Sequence, residues 1–419
     1  MKALHDREKG IGIQYDDIFL INGARTPFGK FCGTIGHISP TDLGIYASRA
    51  ALERSDVQAE AIDQVLTANI GQSSVDAYFL PRHIGLYSGI PTGVPAVMLQ
   101  RICGSGFETI IGGAEQITLG KAETVICCGT ENMSLAPTAC FGNRMGYPFG
   151  RIAFKDMLWE ALNDTAAVPM GCTAENVAIK YGITREEADI FAKLSNDRAI
   201  TATGRGFFKD EIVALNSTVF EANGLKPRKV RLPKKVKDFV TDENIRTSSL
   251  DNLAHLPSSF TDKGVQTAAN SSGIVDGAAA VVIAKDSFVK SEGLTPLSKI
   301  VASASSALDP NLMGLGPVKS IRLLLEITGL TPDDIGLVEI NEAFAAQYLG
   351  CEKELELDRN IVNVNGGAIA LGHPLAATGT RLALTISREM NNRGVKYGVA
   401  SACIGGGQGT AILLENPNI

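Results

Sequence analysis

Sliding the chain against itself by about 273 residues lays one half over the other, and this internal repeat constrains the fold more than any other feature. Glu53 falls on Glu326, Val57 on Leu330, Ile62 on Ile335 and Val65 on Val338. At nearly the same offset, residues 120–128 fall on 394–402. Each copy reads as a helix, a short acidic loop and then a buried strand. Several matches in one register point to a duplicated α/β unit. If the copies pack about a pseudo-twofold axis, equivalent helix N-termini face each other. Those helices are predicted over 107–119 and 380–390, each entered from strand-like sequence at 95–99 and 361–364.

The stretch 141–264 has no counterpart in the second half, so it reads as an inserted loop domain. It holds an amphipathic helix predicted over 184–203, opened by a capping box of Thr184 with Glu187. It also holds the basic run Lys226 to Lys237, which reads as a solvated loop, with a place near an anionic cofactor as the alternative. Residues 267–284 then return to the core, ending in an apolar strand at 277–283. The expected division is a first half over 1–140 completed by 265–290, the insert at 141–264, and a second half over 291–419.

A chain of 419 residues with 44 glycines, 45% hydrophobic and 20% charged, suits a globular α/β enzyme of two or three domains. Its net charge of −6 gives no support to nucleic-acid binding. The eight cysteines form no Cys-x-x-Cys pair and no zinc spacing, so no metal is expected and a reducing compartment is. The opening residues are too polar for a secretory signal, and no apolar run is long enough to cross a membrane. A cytoplasmic location is the expectation.

Two thiols and one imidazole stand in glycine-rich settings: Cys103 in Cys103-Gly104-Ser105-Gly106, His373 in Gly372-His373-Pro374, and Cys403 before Gly405-Gly406-Gly407. The repeat offset places the segment after His373 over that of Cys103. A thiol needs a base or a helix N-terminus to become a nucleophile, and a helix end favours its thiolate. No Gly-Lys-Ser/Thr follows the glycines at 405–407, so their amides suit an oxyanion hole better than a phosphate.

These segments, with Gly23-Ala24-Arg25-Thr26-Pro27-Phe28-Gly29, Gly129-Thr130-Glu131-Asn132-Met133-Ser134 and Asn341-Glu342-Ala343-Phe344, resemble the thiolase family over nearly the whole length. The resemblance implies two βαβ-rich halves in a five-layer α-β-α-β-α core with the loop domain over the active site. It implies that Cys103 attacks a 3-ketoacyl-CoA and becomes acylated, His373 being its base and Cys403 the second acid/base. The amides of Cys103 and Gly405 would hold the acyl carbonyl oxygen. His373 and a water on Asn341 would hold the other thioester oxygen. Met170, Arg246, Phe260, Ala268, Ser272 and Phe344 match positions lining the family's coenzyme A surface. Glu342 is left unassigned.

Biosynthetic members usually carry a histidine before Met-Gly where this chain has Pro169 before Met170-Gly171, as degradative members do. The expected function is CoA-dependent cleavage of a 3-ketoacyl-CoA to acetyl-CoA and a shortened acyl-CoA. Two alternatives stay open: condensation of two acetyl-CoA molecules, and a catalytically silent subunit that binds CoA or a partner. Coenzyme A is expected as co-substrate with no permanently bound cofactor. The expected assembly is a homodimer or homotetramer without nucleic acid or membrane, and a companion subunit is not readable.

Overall fold

In the computed structural model, which describes residues 2–147, 149–150 and 152–419, the repeat becomes two half-sheets of matching topology. The first comprises β1 (Ile18–Arg25), β2 (Gln64–Ala68), β3 (Ala96–Leu99), β4 (Thr124–Glu131) and β5 (Val275–Lys285), in the spatial order β1-β5-β4-β2-β3. The second comprises β6 (Ser298–Ala307), β7 (Leu337–Ile340), β8 (Tyr397–Ile404) and β9 (Gln408–Glu415), in the order β6-β9-β8-β7. In each half the last strand inserts antiparallel between the first strand and a parallel pair. The halves join where β1 meets β6, with Leu20 opposite Ser298 and Phe19 opposite Lys299.

The expected strand at 361–364 does not form. Val362 makes one isolated bridge to Val338, where β3 pairs fully with β2 in the other half. Asn363 explains the difference: its backbone is left-handed at φ 45°, and its side chain accepts from Ile340 N and donates to Ile340 O, both at 2.9 Å. A side chain has replaced the next ladder rung.

Five layers follow from which face each side chain takes. Along β4 the residues alternate, as a two-residue period requires. Ile126 and Cys128 point outward to α1 (Pro40–Ser55), while Val125 and Cys127 point inward. The inner layer is a pair of helices, α2 (Ser105–Thr118) and α7 (Thr378–Arg393), both slightly longer than their periodicity suggested. Phe107, Ile110 and Leu382, Ile386 fill the space between Val281, Ile283 of one half-sheet and Ile412, Leu414 of the other. On the far side α5 (Gly316–Thr328) and α6 (Ala345–Leu355) cover the second half-sheet through Ile321, Leu324 and Tyr348.

The two inner helices touch at their N-terminal turns. A Cβ on Gly106 would lie 2.6 Å from Thr380 N and 2.8 Å from Gly379 N, so only glycine lets the backbones come this close.

The chain between β4 and β5 leaves the sheet and supplies α3 (Met170–Tyr181), α4 (Arg185–Gly204) and short two-stranded ribbons. The capping box of α4 forms as expected, Glu187 N to Thr184 Oγ1 at 3.2 Å and Thr184 N to Glu187 Oε2 at 2.7 Å. Fully buried Arg25 anchors this region to β1. It donates to Glu211 at 2.9 Å and to both oxygens of Asp242 at 2.7 and 2.9 Å. The basic run lies elsewhere, with Arg228 paired to Asp42 at 2.6 Å and Asp76 at 2.7 Å.

Candidate active site

Cys103 occupies a tight turn between β3 and α2. Ile102 before it sits at φ 42°, a conformation that costs a β-branched residue about 1–3 kcal/mol and is tolerated where the surroundings over-determine it. Ser105 supplies that constraint. Its hydroxyl accepts from Arg101 N and donates to Ile102 O, each at 2.7 Å. The thiol is buried in a small apolar cluster with Ile70, Met133, Leu375 and Ala376.

On the opposite strand pair, β8 and β9 form a hairpin closed by Gly405-Gly406-Gly407, with Cys403 opposite Gly409. Gly406 and Gly407 take φ of 82° and 77°, which suits glycine. Gly104 of the first turn lies against Ile404 of the second. The two turns thus meet, and the amides of Gly405 and of Cys103 itself both act on the Cys103 sulfur.

Those amides and the helix end do not dominate, however. Burial pushes the Cys103 thiol up to about 11, against the expectation that the helix N-terminus would favour the thiolate. Desolvation of a charge outweighs a partial charge at a helix terminus. Cys403 is raised further by complete burial and then by the neighbouring Cys103 and Cys351. Both sulfurs therefore rest as thiols, and a base is required.

His373 is the candidate base, two residues before Leu375 of the Cys103 cluster. Burial, aided by Arg381, pushes it down to about 3, so it is a neutral imidazole at ordinary pH. Its Nδ1 lies 2.6 Å from Thr378 Oγ1, and that hydroxyl donates to Pro374 O at 3.1 Å. With its one hydrogen so committed, Thr378 accepts from Nδ1–H, which leaves the lone pair on Nε2. Nε2 lies 3.3 Å from Asn341 Nδ2. Among the described residues, none donates a hydrogen bond to the buried carbonyl oxygen of Asn341.

Glu342, unassigned from sequence, proves to be a brace. Its buried carboxylate accepts from Ser195 of α4 at 2.6 Å, from Asn363 at 2.9 Å and from Ile369 N at 3.1 Å. It therefore ties the inserted helix to the segment that leads into His373.

A cavity of about 510 Å³ opens onto His373. Met170, Arg246, Phe260, Ala268, Ser272 and Phe344 all line it, as does Pro169. Phe260 and Phe344 meet edge to face at 5.6 Å, and Phe260 lies on Gly171, where a side chain would displace it. Arg246 is exposed and donates to Ala268 O at 3.0 Å. Met170 and Phe344 also pack with Cys403, which puts the second thiol behind the cavity wall. The turn 267–273 is held by Ser272 N to Ala343 O at 3.0 Å and by His373 N to Gly273 O at 2.9 Å. None of residues 226–237 lines the cavity. A larger cavity of about 720 Å³ lies against α1, remote from this chemistry.

Sequence reasoning missed Thr378, although a hydroxyl five residues after His373 at the start of a predicted helix was a usable signal. It also missed Lys30, Phe31, Trp159 and Leu162, which line the same cavity from distant segments with no local signature.

Comparison with known proteins agrees with this geometry. Residues 18–287 match the family model described as thiolase, N-terminal domain, and residues 294–416 match thiolase, C-terminal domain. The mitochondrial 3-ketoacyl-CoA thiolase of Bos taurus is 44% identical over 402 residues, covering 95% of this chain and 98% of that protein. An acetyl-CoA acetyltransferase of Cupriavidus necator is 41% identical over 413 residues, covering 95% and 99%. The crystal structure of human mitochondrial 3-ketoacyl-CoA thiolase in complex with CoA superposes with a TM-score of 0.89 at 42% identity, covering 96% of this chain and 98% of that one. Two family models matched in order, over a duplicated core, leave one conclusion: the chain belongs to the thiolase family of acyltransferases.

Proposed function

We propose that this protein cleaves a 3-ketoacyl-CoA with coenzyme A, giving acetyl-CoA and a shortened acyl-CoA. The observation that supports this reading is a cavity of about 510 Å³ that a neutral His373 lines, with Cys103 packed behind its Met133 and Leu375 wall and Cys403 behind its Met170 and Phe344 wall. His373 Nε2 takes the Cys103 proton as the sulfur attacks the 3-keto carbon. The carbon–carbon bond then breaks, leaving the acyl group on Cys103 and a carbanion at the acetyl-CoA α-carbon. Cys403 protonates that carbanion. The resulting Cys403 thiolate takes the proton of the incoming CoA thiol, whose sulfur attacks the acyl carbon and displaces Cys103, and the Cys103 sulfur takes back the proton held on His373.

The amides of Cys103 and Gly405 are positioned to carry negative charge on the acyl oxygen. The free carbonyl oxygen of Asn341 suits a water that, with His373, holds the oxygen of the other thioester. Pyrrolidine at Pro169 offers the cavity no side-chain hydrogen-bond donor, which suits longer or bulkier acyl groups. Lys30 and Arg246 at the cavity wall suit the phosphates and adenine of coenzyme A.

The test is mass spectrometry of the protein after brief exposure to 3-ketoacyl-CoAs of several lengths. An acylated Cys103 peptide is expected, and acylation at another cysteine would overturn the assignment. Cys103→Ala should abolish transfer while leaving CoA binding largely intact. Cys403→Ser should slow deuterium exchange into acetyl-CoA by roughly 10²–10⁴-fold, the usual contribution of an acid–base group. Exchange at the wild-type rate would make Cys403 a structural thiol.

The assembly we infer is a homodimer or homotetramer. Its support is β3, an edge strand beside the nucleophile turn with Val97 exposed. Sedimentation as a monomer at micromolar concentration would refute it. The matching sheet orders support the halves at 1–140 with 265–290 and at 291–419, around an insert at 141–264. A reducing, cytoplasmic setting is consistent with eight free cysteines, and cell fractionation tests it.

A further inference from the structure

We propose that Glu131 is a positioning residue for this reaction: its carboxylate clamps the wall behind Cys103 to the segment that carries His373. This rests on the reading above, in which Cys103 is the nucleophile.

Glu131 ends β4 and is buried to 1% exposure. Among the described residues no cation pairs with it. Instead its Oε1 accepts from Asn69 Nδ2 at 3.0 Å and Gly71 N at 2.9 Å, and its Oε2 from Ile70 N at 3.1 Å and Ala376 N at 3.2 Å. Three of these donors belong to the loop after β2, in the first half. The fourth lies three residues past His373, in the second half. Ile70 and Ala376 are themselves walls of the Cys103 cluster. One carboxylate thus fixes both sides of the thiol, and fixes the entry to α7 from which Thr378 holds the imidazole. Close packing reinforces the clamp, because Gly129 on the same strand admits no side chain against the Ala376 carbonyl.

The charged and titratable groups facing Glu131 are Asp276 on β5 and Cys103 itself. The two other segments packed on it offer N–H donors. Burial disfavours a thiolate at Cys103, and ionised Glu131 adds to that effect. Four N–H donors favour the carboxylate, while burial and Asp276 disfavour it, and the balance leaves Glu131 at about 7. His373 titrates at about 3, far from this window. Protonation of Glu131 releases at least one N–H donor and loosens the clamp, so kcat should fall on an acid limb near pH 7.

The experiment compares kcat, KM for CoA, and the pH profile of Cys103 alkylation in wild type, Glu131→Gln and Asp276→Asn. In Glu131→Gln, kcat should drop by up to about 100-fold, the order that a misplacement of about 1 Å costs. KM for CoA should hold within about twofold, as expected when ground-state binding is untouched. The acid limb near pH 7 should vanish, and alkylation should begin at lower pH because the opposing charge is gone. Asp276→Asn removes a like charge from beside Glu131, lowers its pKa and moves the acid limb to lower pH with the plateau retained. That second variant decides the matter if Glu131→Gln does not fold. A folded Glu131→Gln enzyme with the wild-type acid limb, or an unmoved limb in Asp276→Asn, overturns the proposal. Failure of wild-type Cys103 to acylate would instead refute the underlying reading.

Discussion

Replacing Gly106 by alanine tests whether the contact between the two inner helices builds the site. On an isolated helix the change would help, since alanine is better than glycine by about 1 kcal/mol. Here the new Cβ would lie 2.6 Å from Thr380 N, 2.7 Å from Ala376 O and 2.8 Å from Gly379 N. All three are backbone atoms and cannot rotate away. Restoring an ordinary 3.4 Å contact requires α7 to recede by about 0.8 Å. Overpacking of this kind costs about 1–3 kcal/mol, so a net loss of roughly 0–2 kcal/mol remains after the helical gain. Activity should suffer more than stability. Cys103 precedes one helix and Thr378 begins the other, so the displacement opens the thiol–imidazole gap, and a shift near 1 Å can cost about 100-fold. Gly204 at the end of α4, with nothing within 4 Å of its Cβ position, is the control, and its alanine variant should be neutral or slightly stabilised. Urea unfolding and acyl-transfer kinetics measure both effects. A Gly106→Ala enzyme with wild-type kcat/KM and midpoint would refute the reasoning.

Thr378→Val should strand the Nδ1–H of His373 at a buried site, a loss of about 1–3 kcal/mol that appears in kcat as roughly 10–100-fold with KM for CoA unchanged. An unaltered kcat would show that the hydroxyl does not hold the ring. His373 titrates at about 3 in the fold, below the roughly 6.5 of a free imidazole. Its contribution to stability is therefore whole above about pH 6.5 and is lost as pH falls toward 3. His373→Asn should remove that component, and parallel midpoint-against-pH curves for the two proteins would contradict it. Inactivation by iodoacetamide should keep accelerating up to about pH 11, where free Cys103 ionises; a plateau near 8 would place the thiol in a different environment. Arg25→Met leaves Glu211 and Asp242 buried without their cation and should cost about 3–5 kcal/mol in urea unfolding. A cost below about 1 kcal/mol would mean that water reaches the pair.

The duplication, the capping box of α4, the apolar strand within β5 and the candidates Cys103, His373 and Cys403 could all be read from the chain alone. Each is a local pattern: a period, a cap, or a reactive group among glycines. A local pattern reports what neighbours in sequence impose on one another. The missing ladder at 361–364 was out of reach, because Asn363 substitutes for a strand only once Ile340 is beside it. The state of the nucleophile was out of reach for the same reason. A helix end is visible in sequence and favours a thiolate, but the desolvation that pushes Cys103 up to about 11 comes from Ile70, Met133 and Leu375, brought in from three separate segments. Glu342 and Glu131 show it again: each is one acid among many until folding surrounds it with N–H and O–H donors from distant stretches. The sequence alone determined the duplicated α/β architecture and the candidate reacting groups, since periodicity and side-chain chemistry are carried residue by residue. Tertiary structure alone decided their protonation, their alignment and the groups that hold them, since burial and electrostatic energy depend on distances that close only when the two halves pack.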